Sequence, residues 1–237
     1  MRIARMANLE VRITGGTDHA GGGDGPVVIL MHGYGAGGDD LVPLAQMMPV
    51  APRVRFVFPA APLTPPELAM FGGRAWWPID IDALQRRAAA GQAELRALET
   101  PPGLAEARSQ VIELFDEVQR ELSVTGERII LGGFSQGAML ACDVALHLPG
   151  PLAGLVLLST TLIARDEWAP LMAARHGLPV LQTHGFQDPL LPHRQAEQLR
   201  DLLRGAGMDV SWLEFEGGHE LPQSVLRALT SFIGAHT

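Results

Sequence analysis

Residues 127–148, ERIILGGFSQGAMLACDVALHL, decide the reading of the whole chain. The apolar run at 127–133 reads as a buried strand, and the segment at 136–148 reads as a helix. Between them stands Gly133-Phe134-Ser135-Gln136-Gly137, a G-x-S-x-G pentapeptide. Strand, tight turn and helix, with a serine at the turn, is the context of a nucleophile elbow. The flanking glycines are needed because a Cβ would clash where the chain doubles back. Such a turn points the serine Oγ out of the sheet, and the helix behind it offers N–H groups to a developing anion. A serine in an ordinary glycine-rich turn needs neither feature.

The same strand–helix rhythm runs through most of the chain. Short apolar runs at 26–33, 53–59, 152–159 and 178–185 read as strands, with a last one at 208–218 and an alternating edge strand at 9–14. Continuous runs of this kind suit a parallel sheet covered on both faces. Helices are expected at 39–48, 104–122, 193–207 and 221–234; Val111, Leu114, Phe115, Val118 and Leu122 form one apolar stripe. The stretch 15–25, GGTDHAGGGDG, is a turn or a mobile loop. The prediction is an α/β protein with a mostly parallel sheet, as one domain over 1–237. Residues 60–103 depart from the rhythm: they carry six prolines and two of the four tryptophans. Leaving from the end of a strand, they form a cap-like excursion over the ligand-binding rim of the sheet.

A serine hydroxyl needs a base, and the base needs an orienting acid. In this architecture they follow in the order Ser, Asp or Glu, His. GGHEL places His219 just after the final strand, and THGFQDPLLPH places Asp188 after the preceding one. The rivals fit less well: His147 falls at the far end of a helix, His176 at the opposite rim, His236 in the tail, and His193 opens a helix. Asp166 and Glu167, in a loop after the strand at 152–159, are the alternative acids. The oxyanion hole is expected from the backbone N–H of Gln136 and from the loop HGYGAGG at 32–38, with Tyr34 N–H as its donor. That loop lacks the Lys-Ser/Thr ending of a phosphate-binding loop, and His32 reads as a packing and hydrogen-bonding residue.

A net charge of -8 argues against nucleic acid or an anionic membrane surface as the main partner. All 18 basic residues are arginine. The single cysteine, Cys142, reads as an inert core thiol and fits a reducing compartment. The N-terminus lacks the apolar stretch of a signal peptide, and no window reaches the about 18 apolar residues of a membrane span. The expectation is a cytoplasmic protein without integral membrane association, acting on a small-molecule or lipid ester, with monomer and homodimer both open.

HGYGAGGDDL, AWWPID, GGFSQGAML, HGFQDPLLP and GGHEL together resemble the successive blocks of the phospholipase/carboxylesterase family of α/β-hydrolases, which includes the acyl-protein thioesterases. The blocks span 32 to 221 in the family's order. The resemblance implies the α/β-hydrolase fold, the triad Ser135, Asp188 and His219, and Tyr34 and Gln136 as oxyanion donors. It implies hydrolysis of carboxylic esters, with thioesters or lysophospholipids as alternatives, and neither metal nor organic cofactor. Two features depart from the pattern: a longer segment after AWWPIDI, with an Ala/Arg-rich helix at about 82–99, and Trp-Trp-Pro in place of Trp-Phe-Asp. Both fall where an acyl chain should bind, so substrate preference is not carried over.

The expected reaction is cleavage of short- to medium-chain acyl esters through an acyl-enzyme on Ser135, with Phe71, Trp76, Trp77, Leu190 and Leu191 either lining an acyl groove or packing the excursion onto the body. A binding protein on a hydrolase scaffold is the rival from another class. A complete Ser-Asp-His set speaks against it. A dehalogenase would need Asp at 135, and a dienelactone-type hydrolase more often carries Cys there.

Overall fold

In the computed structural model, residues 1–80, 82, 83, 86 and 97–237 are described. Eight strands form one sheet in the order β1-β2-β4-β3-β5-β6-β7-β8. They are β1 (Arg2–Met6), β2 (Leu9–Gly15), β3 (Val27–Met31), β4 (Arg55–Pro59), β5 (Ile129–Phe134), β6 (Gly154–Leu158), β7 (Pro179–Gly185) and β8 (Asp209–Phe215). Strand β2 runs antiparallel to β1 and β4; β4, β3 and β5 through β8 are parallel.

The continuous apolar runs have a direct cause. Val27, Ile29 and Met31 enter one core, and Val28 and Leu30 enter the other, on the opposite face of the sheet. Leu155 and Leu157 against Val156 and Leu158 repeat the pattern. The first core is closed by α3 (Leu104–Glu121), α4 (Gln136–His147), α5 (Arg165–Met172) and α6 (His193–Gly205). The second is closed by α1 (Leu44–Met47) and α7 (Gln223–Ala235); the single turn α2 (Pro66–Ala69) lies in the excursion. Each fully buried Leu, Ile or Val contributes about 1.5–3 kcal/mol, so β3 and β6 are anchored from both sides, whereas β1 and β2 feed only the first core.

The structure corrects the sequence reading in four places. Strand 9–14 is not the edge: β1 pairs outside it through a two-residue turn, Ala7 (φ 46) and Asn8 (φ 62), whose left-handed backbone matches the twist of a tight hairpin. Helix α1 is one turn rather than the ten residues expected, because Pro43 enters at its N-cap. Residues 165–172 form a helix where a loop was expected. Pro170 argues against it locally, but Trp168, fully buried and donating from Nε1 to Asp143 Oδ1 at 2.8 Å, holds it in place. The glycine-rich 15–25 loop is tied down by Arg55, which is 1% exposed. Its Nε donates to Gly25 O at 2.8 Å, and its Nη1 donates to Gly23 O at 3.0 Å and Leu122 O at 2.6 Å. The Ala/Arg-rich helix expected at 82–99 falls for the most part outside the described residues.

Candidate active site

Parallel strands place the segments that follow β3, β5, β6, β7 and β8 on one rim of the sheet. Ser135 leaves the end of β5 with φ 54 and ψ -118, a conformation that side chains rarely adopt. Its N–H donates to Leu158 O at 2.9 Å, and its C=O accepts from Ala138 N and Met139 N at 3.0 and 3.1 Å, which starts α4. A Cβ at Gly137 would lie 2.2 Å from Met31 O, and one at Gly133 would lie 2.6 Å from the same oxygen. The turn therefore packs backbone against backbone on both sides of the serine, as the two glycines imply.

Asp188 and His219 come together on the same rim. His219 Nδ1 stands 2.7 Å from Asp188 Oδ2, and the carboxylate side chain is fully buried. The other oxygen, Oδ1, accepts from Leu190 N and Leu191 N, both at 2.9 Å. Burial pushes the Asp188 carboxyl upward, but the hydrogen bond from His219 and those from Leu191 and Leu190 outweigh it and leave the group below its ordinary value. The His219 ring lies 4.8 Å from the ring of Phe134, the residue before Ser135. Sequence reasoning passed over His184, which is wholly buried at the end of β7. Its Nε2 donates to Leu191 O at 2.8 Å and lies 3.6 Å from Asp188 Oδ2, so it braces the acid's loop from behind. The available signal was a histidine at the end of a buried strand, four residues before Asp188.

The 32–38 loop is pinned by His32, which is 2% exposed. Ala61 N donates to His32 Nε2 at 2.9 Å, so the ring proton sits on Nδ1 and is donated to Gly33 O at 2.8 Å. That bond fixes the Gly33–Tyr34 peptide, whose Tyr34 N–H points opposite to the Gly33 carbonyl. Among the described residues, neither Tyr34 N–H nor Gln136 N–H has a backbone acceptor. The Tyr34 hydroxyl donates to Glu67 Oε1 at 2.6 Å. Gln136 also uses its side chain, which is buried: Oε1 accepts from Trp76 N at 2.9 Å and Nε2 donates to Trp77 O at 2.8 Å.

His32 also sets an acid limit on stability. Burial lowers its pKa from 6.5 to about 4, against the bond to Gly33 O. The unfolded chain thus binds a proton below about 6.5 that the folded chain refuses until about 4. Stability contributed by neutral His32 is present above that window and is lost as pH falls through it, by up to about 3 kcal/mol. Urea denaturation at pH 7 and pH 4.5 should show the loss in wild type and a smaller one in His32→Asn, which keeps a neutral donor near Nδ1. Equal losses in both proteins would remove His32 as the cause.

The expected acyl-groove residues divide. Phe71 and Leu190 are 83% and 60% exposed, whereas Trp76, Trp77 and Leu191 are 2%, 1% and 3% exposed and belong to the core. The two tryptophans therefore offer no open surface to an acyl chain. The rival groups are engaged elsewhere. Cys142 is fully buried, which pushes its thiol far above its ordinary range. Glu167 accepts from Arg108 at 2.7 Å, and the same guanidinium contacts Asp143 at 3.2 Å and His147 at 3.1 Å. The trio Asp143, His147 and Glu167 is close enough to ligate a metal ion, but Arg108 already supplies the positive charge there.

A family model described as Phospholipase/Carboxylesterase matches residues 20–237 of the chain. The chain belongs to the phospholipase/carboxylesterase family. Members of this family are hydrolases acting on esters, and the chain is a serine hydrolase of carboxylic esters. It is 30% identical over 222 residues to a protein of Mycosarcoma maydis named acyl-protein thioesterase 1, covering 87% of this chain and 89% of that one. The crystal structure of esterase PE8 superposes with a TM-score of 0.79 at 26% identity, over 97% of this chain and 99% of that one. The carboxylesterase of Bacillus cereus superposes with a TM-score of 0.74 at 21% identity, over 97% and 95%, and shares the α/β-hydrolase fold. Among the described residues, no helix of this family member is long and apolar enough to cross a membrane.

Proposed function

We propose that Ser135, His219 and Asp188 act as nucleophile, base and orienting acid in hydrolysis of short- to medium-chain acyl esters. The observation that carries this reading is the 2.7 Å pair of Asp188 and His219 on the rim where Ser135 leaves β5. With Nδ1–H donated to Asp188, the Nε2 lone pair of His219 is left to accept the Ser135 proton. Oγ bonds to the ester carbonyl carbon, and the carbonyl π pair moves to oxygen. The anion is held by the N–H groups of Tyr34 and Gln136. Collapse expels the alcohol, which takes the proton from His219, and water repeats the sequence on the acyl-enzyme. Phe71 and Leu190 border the acyl chain.

Activity should fall on acidification, because a protonated His219 cannot accept the serine proton. The test is kcat/KM between pH 5 and 9 across p-nitrophenyl esters from acetate to palmitate, with matched thioesters run in parallel. A flat acid limb would remove His219 as the base. The chain-length optimum measures the acyl site. Thioester cleavage is the second reading, favoured by the similarity to a protein named acyl-protein thioesterase 1. A thioester rate exceeding the ester rate at every chain length would establish it. Absence of turnover on both series would favour a binding protein instead. The lone buried cysteine fits a reducing compartment, and we place the enzyme in the cytoplasm.

A further inference from the structure

The two oxyanion donors sit on separate elements. Tyr34 N–H belongs to the loop after β3, and Gln136 N–H to the first turn of α4. Their separation decides whether both can reach one oxygen, since each must come within about 2.7–3.1 Å of it. Residues 74–77 of the excursion touch both elements. At one end, Gly35 N donates to Arg74 O at 2.8 Å and Arg74 N donates to Ala36 O at 2.9 Å. At the other, Trp76 N donates to Gln136 Oε1 at 2.9 Å and Gln136 Nε2 donates to Trp77 O at 2.8 Å. A brace between them runs from Trp76 Nε1 to His32 O at 3.0 Å.

The segment is itself anchored. Leu63 and Ala75 form an antiparallel bridge, and Arg74 Nη1 donates to Ala61 O at 3.1 Å. Gln136 is 1% exposed, so water cannot stand in for its amide. A hydrocarbon of similar length would fill the space but leave Trp76 N–H and Trp77 C=O buried without partners. The Ser135–Gln136 peptide accepts at its carbonyl from Ala138 N and Met139 N, and it is flanked by Ser135 N–H on Leu158 O before it and by this side chain after it.

We propose that the side-chain amide of Gln136 is a positioning group which, through residues 74–77 as a strut, sets the gap between the Tyr34 and Gln136 backbone donors. The proposal rests on the oxyanion assignment made above and assigns a second, separate role to a residue whose main chain already serves. It makes residues 74–77 of the excursion part of the reaction geometry, independent of any contact with the acyl chain.

The test compares wild type with Gln136→Met, which keeps the backbone N–H and the side-chain length but loses the amide. Two quantities are read on the best ester: kcat with KM, and the affinity of a trifluoromethyl ketone carrying the same acyl chain. The ketone bonds to Ser135 Oγ, sends the serine proton to His219 and leaves an oxyanion between the two donors. Gln136→Met should lower kcat by about 10–100-fold, short of the loss of a whole donor, and weaken the ketone by a similar factor with KM changed less than about twofold. Gly73→Ala attacks the other end of the strut: its Cβ would lie 2.6 Å from Gly35 O and 3.0 Å from Leu68 Cβ. It should reproduce the selective loss in kcat without touching the elbow, and it decides the matter if Gln136→Met does not fold. A folded variant with kcat within about twofold of wild type, or with its whole loss in KM, overturns the proposal. Failure of the underlying assignment looks different, because Ser135→Ala would then retain turnover or wild type would bind the ketone no better than the ester.

Discussion

Ser135→Ala should lower kcat on carboxylic esters by about 10³-fold or more while leaving the protein folded. The size of the effect follows from chemistry: no acyl-enzyme can form without Oγ, and what remains is the stabilisation given by binding and the oxyanion donors. That the fold should survive follows from the backbone. Alanine keeps a Cβ at φ 54 and ψ -118, so it neither relieves nor adds to the strain of the turn. Purified variant and wild type compared on p-nitrophenyl butyrate, with thermal melts alongside, give the answer. Wild-type turnover in a folded Ser135→Ala protein would show the serine to be a turn residue only.

Asp188→Asn should be comparably severe, at about 10⁴-fold in kcat by analogy with the same change in a serine protease triad. The reason lies in the two backbone donors on Oδ1. Leu190 N–H and Leu191 N–H require an oxygen there, so an asparagine keeps its carbonyl on them and turns its NH₂ toward His219. His219 Nδ1 must then accept rather than donate, and its proton moves to Nε2. The lone pair meant for the Ser135 proton is gone. Asp188→Glu keeps the charge but not the reach, and is expected to fall between Asn and wild type. A kcat for Asp188→Asn within tenfold of wild type would mean that His219 is oriented by something else, with His184 and the Leu191 carbonyl the next groups to examine.

The elbow was legible in the sequence because a Cβ does not fit its flanks, Gly137 lying against Met31 O, so glycine stands at both positions around the serine. The central strands were legible because burial on both faces removes polar residues from them. Asp188 and His219 could be placed because chain order and strand ends confine them to one rim. What escaped depends on partners far away in sequence. Residues 165–172 become a helix through Trp168 on Asp143, across 25 positions, and the amide of Gln136 meets the Trp76–Trp77 backbone across about 60. An aromatic pair reads the same whether it faces a substrate or the core, so Trp76 and Trp77 looked like groove residues until their burial was seen.

The backbone of Ser135 also sets a cost against the proposed reaction. A residue with a side chain at φ 54 and ψ -118 costs on the order of 1–3 kcal/mol relative to one at ease, and glycine would be at ease there. A lineage favouring thermal robustness alone would drift toward glycine at 135, gaining stability and losing the reaction. With Ser135 as the proposed nucleophile, position 135 is where robustness and reactivity pull in opposite directions: Ser135→Gly is expected to relieve the turn and abolish turnover.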